Sequence, residues 1–235
     1  MSLITKDDIF DTYGKLKQRG LSFILSKFNP SNKKRTLSAF DDVGIDASNY
    51  WNIPLVKKRW NKKITGNESE IFEDYVIRTY LQHKENLKMI SLGAGVCNHE
   101  IHFANKGNFS EVLCIDFASS LLKKGKLKSK QLGLSNIEFA SLDASKMQVK
   151  PDYYDIIMFH SSLHHFFNVD NIIGNIAFKT LKKGGLLIIH EYVGPNRLQL
   201  TSIQIRAINQ ALATIPANCK TRYKTNITKN TVSGP

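Results

Sequence analysis

No run of about 18 apolar residues occurs in this 235-residue chain, so no segment reads as a membrane span. The opening residues, MSLITKDDIFDTYGKLK, hold neither an apolar h-region nor a small-residue cleavage site, and no secretory signal is read there. Cysteine is scarce. Cys97, Cys114 and Cys219 form no CxxC pair, which argues against a zinc knuckle or a disulfide framework and fits a reducing cytoplasm. No metal-ligating set is assigned. Arginine is short as well: lysine supplies 26 of the 33 basic residues and arginine 7, against 20 Asp+Glu, for a net charge of +13. A basic surface suits nucleic acid or anionic membrane. Arginine, however, is the residue that reads phosphates and base edges bidentately. The lysines are scattered (Lys57-Lys58, Lys62-Lys63, Lys123-Lys124, Lys182-Lys183), so the charge reads as compositional bias, with no specific nucleic-acid partner.

What is present is a globular composition, 42% hydrophobic and 23% charged, at the size of one domain with an elaborated cap. The pattern changes near residue 86. Residues 1–85 read as a helical N-terminal cap. Ile9, Phe10, Tyr13, Leu16, Leu21, Ile24 and Phe28 recur at helical spacing, and a second helix is expected from Asn67 to Lys84. From 86 to 193, short apolar runs alternate with helices. Strands are expected at 88–92, 111–116, 137–141, 155–161 and 185–192, with helices over His99–Lys106, Ala118–Gln131 and Val169–Leu181. Near-continuous apolar strands between helices mean a parallel sheet covered on both faces. The expected architecture is α/β: a doubly wound, mostly parallel, Rossmann-like sheet with a helical cap. Residues 194–235 read as one helix, marked by Leu200, Ala207, Ile208, Ala211, Leu212 and Ile215, followed by a polar tail.

Sheets of this kind bind ligands at the carboxyl ends of their strands. The first strand runs into Gly93-Ala94-Gly95-Val96-Cys97-Asn98, where glycines let the backbone turn sharply and a ligand approach main-chain N–H groups. A GxGxxG fingerprint would need glycine at 98 and a GxGxG loop glycine at 97, so the loop alone is a weak signal. Asp116 adds weight. It closes the second strand 23 residues after Gly93, where a carboxylate can accept from both hydroxyls of a ribose; its competing role is to cap the following helix. Asp143, in Ser141-Leu142-Asp143-Ala144 at the third strand end, can accept from an exocyclic amine or cap its own loop.

Taken together, SLGAGVCNHE, LCIDFASSLL, FASLDAS, YYDIIMFHSSLHHF and LKKGGLLIIHEY resemble the ordered motifs of the class I S-adenosylmethionine-dependent methyltransferases. The resemblance covers 86–193, departing at Ser91, where the family often has an acid, and at Cys97, where a third glycine is usual. It implies that Gly93, Ala94 and Gly95 flank the methionine part of S-adenosyl-L-methionine. It implies that Asp116 holds the ribose with Phe117 beside the adenine, that Asp143 with Ala144 takes the adenine amine, and that His160 lines the amino-acid portion. HSSLHHF resembles a segment of bacterial small-molecule methyltransferases, as do Tyr50-Trp51 and Lys58-Arg59-Trp60 their cap, which implies a small-molecule acceptor. His164 and His165, after the fourth strand, are the candidate catalytic bases, with Glu191 and Tyr192 as possible linings of the acceptor pocket. Members of this family finish with two further strands, and the 43 residues after Tyr192 fit none easily, so a truncated chain is expected. Two other readings stay open: a catalytically silent cofactor-binding module acting through partners, and a nucleotide- or NAD-binding protein of the same fold.

Overall fold

The structure, a computed structural model, describes residues 6–19, 52–194, 200–221 and 225–232. The expected helical positions Leu21, Ile24 and Phe28, and Tyr50-Trp51, lie outside these. The chain divides into two compact units, one of residues 43–192 and one joining 1–42 to 193–235. The second unit holds helix α1 (Lys6–Arg19) and a C-terminal helix, Ser202–Thr214, whose start is fixed by a capping box between Thr201 and Gln204. Its polar tail carries one antiparallel bridge, Thr221 to Thr228, and Asn209 exchanges hydrogen bonds with Val232.

The first unit is built on five strands: β1 (Leu87–Leu92), β2 (Phe109–Asp116), β3 (Ile137–Ser141), β4 (Tyr154–His160) and β5 (Leu181–His190). All pair in parallel in the order β3-β2-β1-β4-β5. The order reverses between β1 and β4, which makes that junction the switch point where doubly wound sheets open a crevice. The sequence dictates this centrality. LKMISL and YDIIMFH are apolar at nearly every position, so both faces of β1 and β4 need cover. Alternation then sorts the side chains. Met89, Val112, Cys114, Ile156 and Met158 join Phe103 on one face; Ile90, Leu92, Ile115, Ile157 and Phe159 join Ile172 and Ile176 on the other.

Two helices precede the sheet. Helix α2 (Pro54–Thr65) was not anticipated; Pro54 opens it at the first helical position, and Gly66 ends it in the left-handed region. The expected helix from Asn67 is shorter in fact, α3 (Phe72–Tyr80), because Asn67 and Thr65 tie up the preceding turn through their side chains. Val76 lies in the sheet's core with Phe72 packed against it, and α2 and α3 fall in the same compact unit as the sheet. Around the sheet lie α4 (Asn98–Ala104) and α5 (Ser119–Gln131). The expected helix over Val169–Leu181 is interrupted: a π-helical Ile172–Ala177 separates helical turns at Val169–Asn171 and Phe178–Thr180. Leu181 already belongs to β5, which starts four residues earlier than its apolar run because Lys182 and Lys183, on the edge strand, remain partly in solvent.

Candidate functional site

At the switch point the chain leaves β1 through Gly93 and Gly95, both with positive φ (79° and 56°), and enters α4 from Cys97, also left-handed at 59°. Gly93 and Ala94 each donate a backbone hydrogen bond to the carbonyl of Ile115, at 2.8 and 2.9 Å, which clamps the turn to the end of β2. The Gly95 N–H donates to a carboxylate oxygen of Asp116 at 2.9 Å, while the other oxygen accepts from the Ala118 N–H at 2.7 Å. Of the two roles weighed from the sequence, these bonds are those of the helix-capping one. Asp116 joins the glycine turn to β2, and it steadies the start of α5, whose capping residue is Ala118. A carboxylate has about four acceptor positions, so two bonds leave capacity for a pair of hydroxyls.

The two glycines differ. A Cβ on Gly95 would meet nothing within 4 Å, so the turn faces open space there. A Cβ on Gly93 would fall 2.6 Å from Cβ of Ser162, in the loop after β4. Gly93→Ala therefore combines a close contact with a left-handed backbone, and is expected to cost about 2–4 kcal/mol of stability in chemical denaturation. Gly95→Ala carries only the backbone part, about 1–2 kcal/mol; equal losses would contradict the packing of Ser162 on Gly93.

At the end of β3, Asp143 accepts from the backbone N–H of Ser145 at 3.1 Å and from its hydroxyl at 2.6 Å, capping the short turn Ala144–Lys146. Ala144 is buried, and Phe117 half-buried. The Leu142 N–H donates to the Asp116 carbonyl, which ties the end of β3 to that of β2.

The loop after β4 holds the second constellation. The hydroxyl of Ser162 donates to the Leu92 carbonyl at 2.7 Å, fastening this loop to the end of β1. Glu191, just past β5, has a side chain only 5% exposed. One of its oxygens accepts from the backbone N–H groups of both Ser162 and Leu163; the other contacts Nδ1 of His164 at 2.7 Å. The His164 ring is 46% exposed and lies 3.9 Å from that of His165, centroid to centroid. Partial burial and then the neighbouring His164 hold His165 below the usual imidazole range, against the raising pull of Glu191 and Asp116.

A third cluster was not anticipated as a group. His160 and His190 end β4 and β5; His99 begins α4. Their rings lie 3.7 Å (His99 to His160) and 4.5 Å (His160 to His190) apart, and Phe72 stacks on His160 and on His190 at 5.5 Å each. Glu73 of α3 meets Nδ1 of His99 at 2.5 Å. What the structure records for His160 is thus ring packing against α3. The signal available in the sequence was the shared strand-end position of His160 and His190. Burial, then His99 and His190, depress the His160 imidazole to about 3. The folded state therefore binds fewer protons there than the unfolded chain, whose imidazole titrates near 6.5. Stability from this source is complete above about 6.5 and is lost as pH falls toward 3. Glu100 is fully buried and burial raises its carboxyl, which works in the opposite sense, so a variant must isolate the effect. His160→Phe, which keeps a ring in the stack, is expected to flatten the loss of denaturation midpoint between pH 6.5 and 4. An unchanged slope would contradict the assignment.

A doubly wound parallel sheet with a glycine turn and a strand-end acid at its switch point defines the class of nucleoside-cofactor folds. Within that class, residues 83–232 match the methyltransferase-domain family, and the chain belongs to it. The cofactor that goes with this family is S-adenosyl-L-methionine, and the glycine turn at Gly95 with its Asp116 carboxylate suits a ribosyl ligand. Among curated relatives, the ubiquinone/menaquinone biosynthesis C-methyltransferase UbiE of Pectobacterium atrosepticum is 25% identical over 122 residues, 51% of this chain and 48% of that one. The UbiE of Erwinia tasmaniensis is 29% identical over 90 residues, 38% of this chain and 36% of its own. The chain thus spans about half the length, or less, of the curated relatives it matches. A solved S-adenosylmethionine-dependent methyltransferase of Geobacter sulfurreducens, in complex with S-adenosyl-L-homocysteine, shares 19% identity over 58% of this chain and 53% of that one, with a TM-score of 0.43. Among the described residues no helix is long and apolar enough to cross a membrane.

Proposed function

We propose that this methyltransferase domain transfers a methyl group to a small-molecule acceptor, with the cofactor seated across the β1–β2 end and the acceptor over the loop after β4. The observation that carries the reading is the Asp116 carboxylate bonded to the Gly95 N–H, at a turn with open space before it. Gly93, Ala94 and Gly95 lie against the methionine portion, with His160 bordering it from the ring stack. Asp116 takes the ribose hydroxyls, Phe117 flanks the adenine, and Asp143 with Ala144 meets its amine. S-adenosyl-L-methionine supplies an electrophilic methyl on a sulfonium. The chain's task is then to hold the acceptor in line, and positioning of this kind is worth about 7–11 kcal/mol of barrier at best. His164 and His165 stand where a proton would leave the acceptor. The curated relatives are named as C-methyltransferases, so carbon joins oxygen and nitrogen as a candidate acceptor atom. Two buried cysteines and an exposed one, all free, suit a reducing cytoplasm.

A screen of small-molecule acceptors with a labelled methyl donor tests the proposal. Label transferred to a low-molecular-weight product is the expected result. Label found only on protein or nucleic acid would overturn it, and tight cofactor binding with no transfer to anything would favour a silent binding module.

A further inference from the structure

The candidate bases are not equivalent, and their difference has chemical content. Glu191 is held in place by two backbone N–H groups of the loop it faces, and its second oxygen meets His164 at Nδ1. A carboxylate only accepts hydrogen bonds, so His164 in its neutral form must carry its proton on Nδ1. The lone pair is then on Nε2, pointing away from Glu191 on a ring that is 46% exposed. This is the arrangement that turns an imidazole into a base: a buried carboxylate fixes the tautomer and faces the positive charge that forms. The loop is also located relative to the methyl donor's expected seat, since Ser162 both donates to Leu92 and packs on Gly93. Along the chain the dyad is flanked by exposed aromatic side chains, Phe167 at 98% and Tyr192 at 60%.

Resting on the methyltransferase reading above, we infer that Glu191 is the positioning carboxylate for His164, and that the acceptor is a phenol or enol whose hydroxyl proton His164 removes. A dyad is needed only where the attacking atom holds a proton it does not release by itself near neutral pH; a thiolate or carboxylate acceptor would make it redundant. In the step, the acceptor O–H bond breaks and an N–H bond forms at Nε2. The resulting imidazolium is paired with Glu191, and the proton leaves to solvent through the exposed edge of the ring. The electron pair stays on the acceptor and forms its new bond to the methyl carbon as that carbon's bond to the sulfonium sulfur breaks, the breaking bond's electron pair leaving on sulfur with S-adenosylhomocysteine.

Glu191→Gln separates this role from a structural one. Its carbonyl oxygen still accepts from Ser162 and Leu163, which holds the loop, while its amide now donates to Nδ1 and drives the His164 proton to Nε2. Nitrogen-15 NMR of histidine-labelled protein, with S-adenosylhomocysteine bound, needs no acceptor: Nδ1–H is expected in the unsubstituted chain and Nε2–H in the variant. The same tautomer in both would overturn the inference. With catechol as probe, kcat of Glu191→Gln is expected to fall roughly 10²–10⁴-fold, with KM and S-adenosylhomocysteine affinity within about twofold. With 4-nitrocatechol, already ionised at the assay pH, the loss should be under about tenfold. Equal losses with both phenols would mean a structural role and sink the dyad. Should Glu191→Gln fail to fold, His164→Gln, on a half-exposed ring, carries the same comparison of the two phenols. If S-adenosylhomocysteine binds but the unsubstituted protein methylates neither phenol, the acceptor class is wrong while the methyltransferase reading stands; if it does not bind, that reading fails first.

Discussion

His164→Ala is expected to lower kcat roughly 10²–10⁴-fold, the usual worth of a positioned general base, while leaving affinity for S-adenosylhomocysteine nearly unchanged. The reasoning is geometric. The ring is half exposed and held from one side by Glu191, so its removal deletes a proton acceptor without opening the core. The loop keeps its other anchors, Ser162 on Leu92 and the two N–H groups on Glu191. His165→Ala should lose less, because the Glu191 oxygens are already committed to the His164 ring and to the Ser162 and Leu163 N–H groups. Steady-state kinetics of both variants on one acceptor decides the order; a larger loss at His165 would assign the base to the wrong ring.

Asp116→Ala should weaken S-adenosylhomocysteine binding by about 1.5–3 kcal/mol, the scale of hydrogen bonds to a charged group, or roughly 10- to 150-fold. The structure adds a second cost. Asp116 also accepts from Gly95 and Ala118, so alanine should remove about 1 kcal/mol of stability as a lost helix-start contact. Asp116→Asn keeps one neutral acceptor, enough for Ala118 but not also for the Gly95 N–H, so stability should return in part while affinity does not. Calorimetry on folded variants measures both. Full affinity in Asp116→Asn would deny the charge any part in holding the ribose.

Much of this was legible in the residues. Leu87–Leu92 and Tyr154–His160 announce themselves because strands buried on both faces cannot tolerate polar positions, and IEFAS is a strand with the bounds its apolar content suggests. Asp116 stood out with the glycine turn, at the end of an apolar strand 23 residues past Gly93, and its carboxylate is bonded to that turn. Other features were not. Helix α2 buries none of its residues, and its apolar positions Val56, Trp60 and Ile64 stand among five basic residues, so it was passed over. The π-helical Ile172–Ala177 keeps an apolar pattern close to that of an α-helix, and its register shift appears only when Ile172, Ile176 and Ala177 are seen packed on the sheet. The pairing of Glu191 with His164 spans 27 positions and depends on β4 and β5 lying side by side, a fact of register that local sequence does not encode. The stack of His99, His160 and His190 arises likewise from three separate element ends meeting under Phe72.

Titration calorimetry of the unsubstituted protein with S-adenosylhomocysteine, and in parallel with NAD, tests the central claim most directly. Any ligand of the native state also raises its stability by mass action, by about 2.7 kcal/mol at a hundredfold excess over Kd, so a melting series checks the same result independently. Saturable binding of S-adenosylhomocysteine with a matching rise in Tm, and neither with NAD, is what the Gly93–Gly95 turn and Asp116 predict. Binding of NAD with none of S-adenosylhomocysteine would contradict the account at its base.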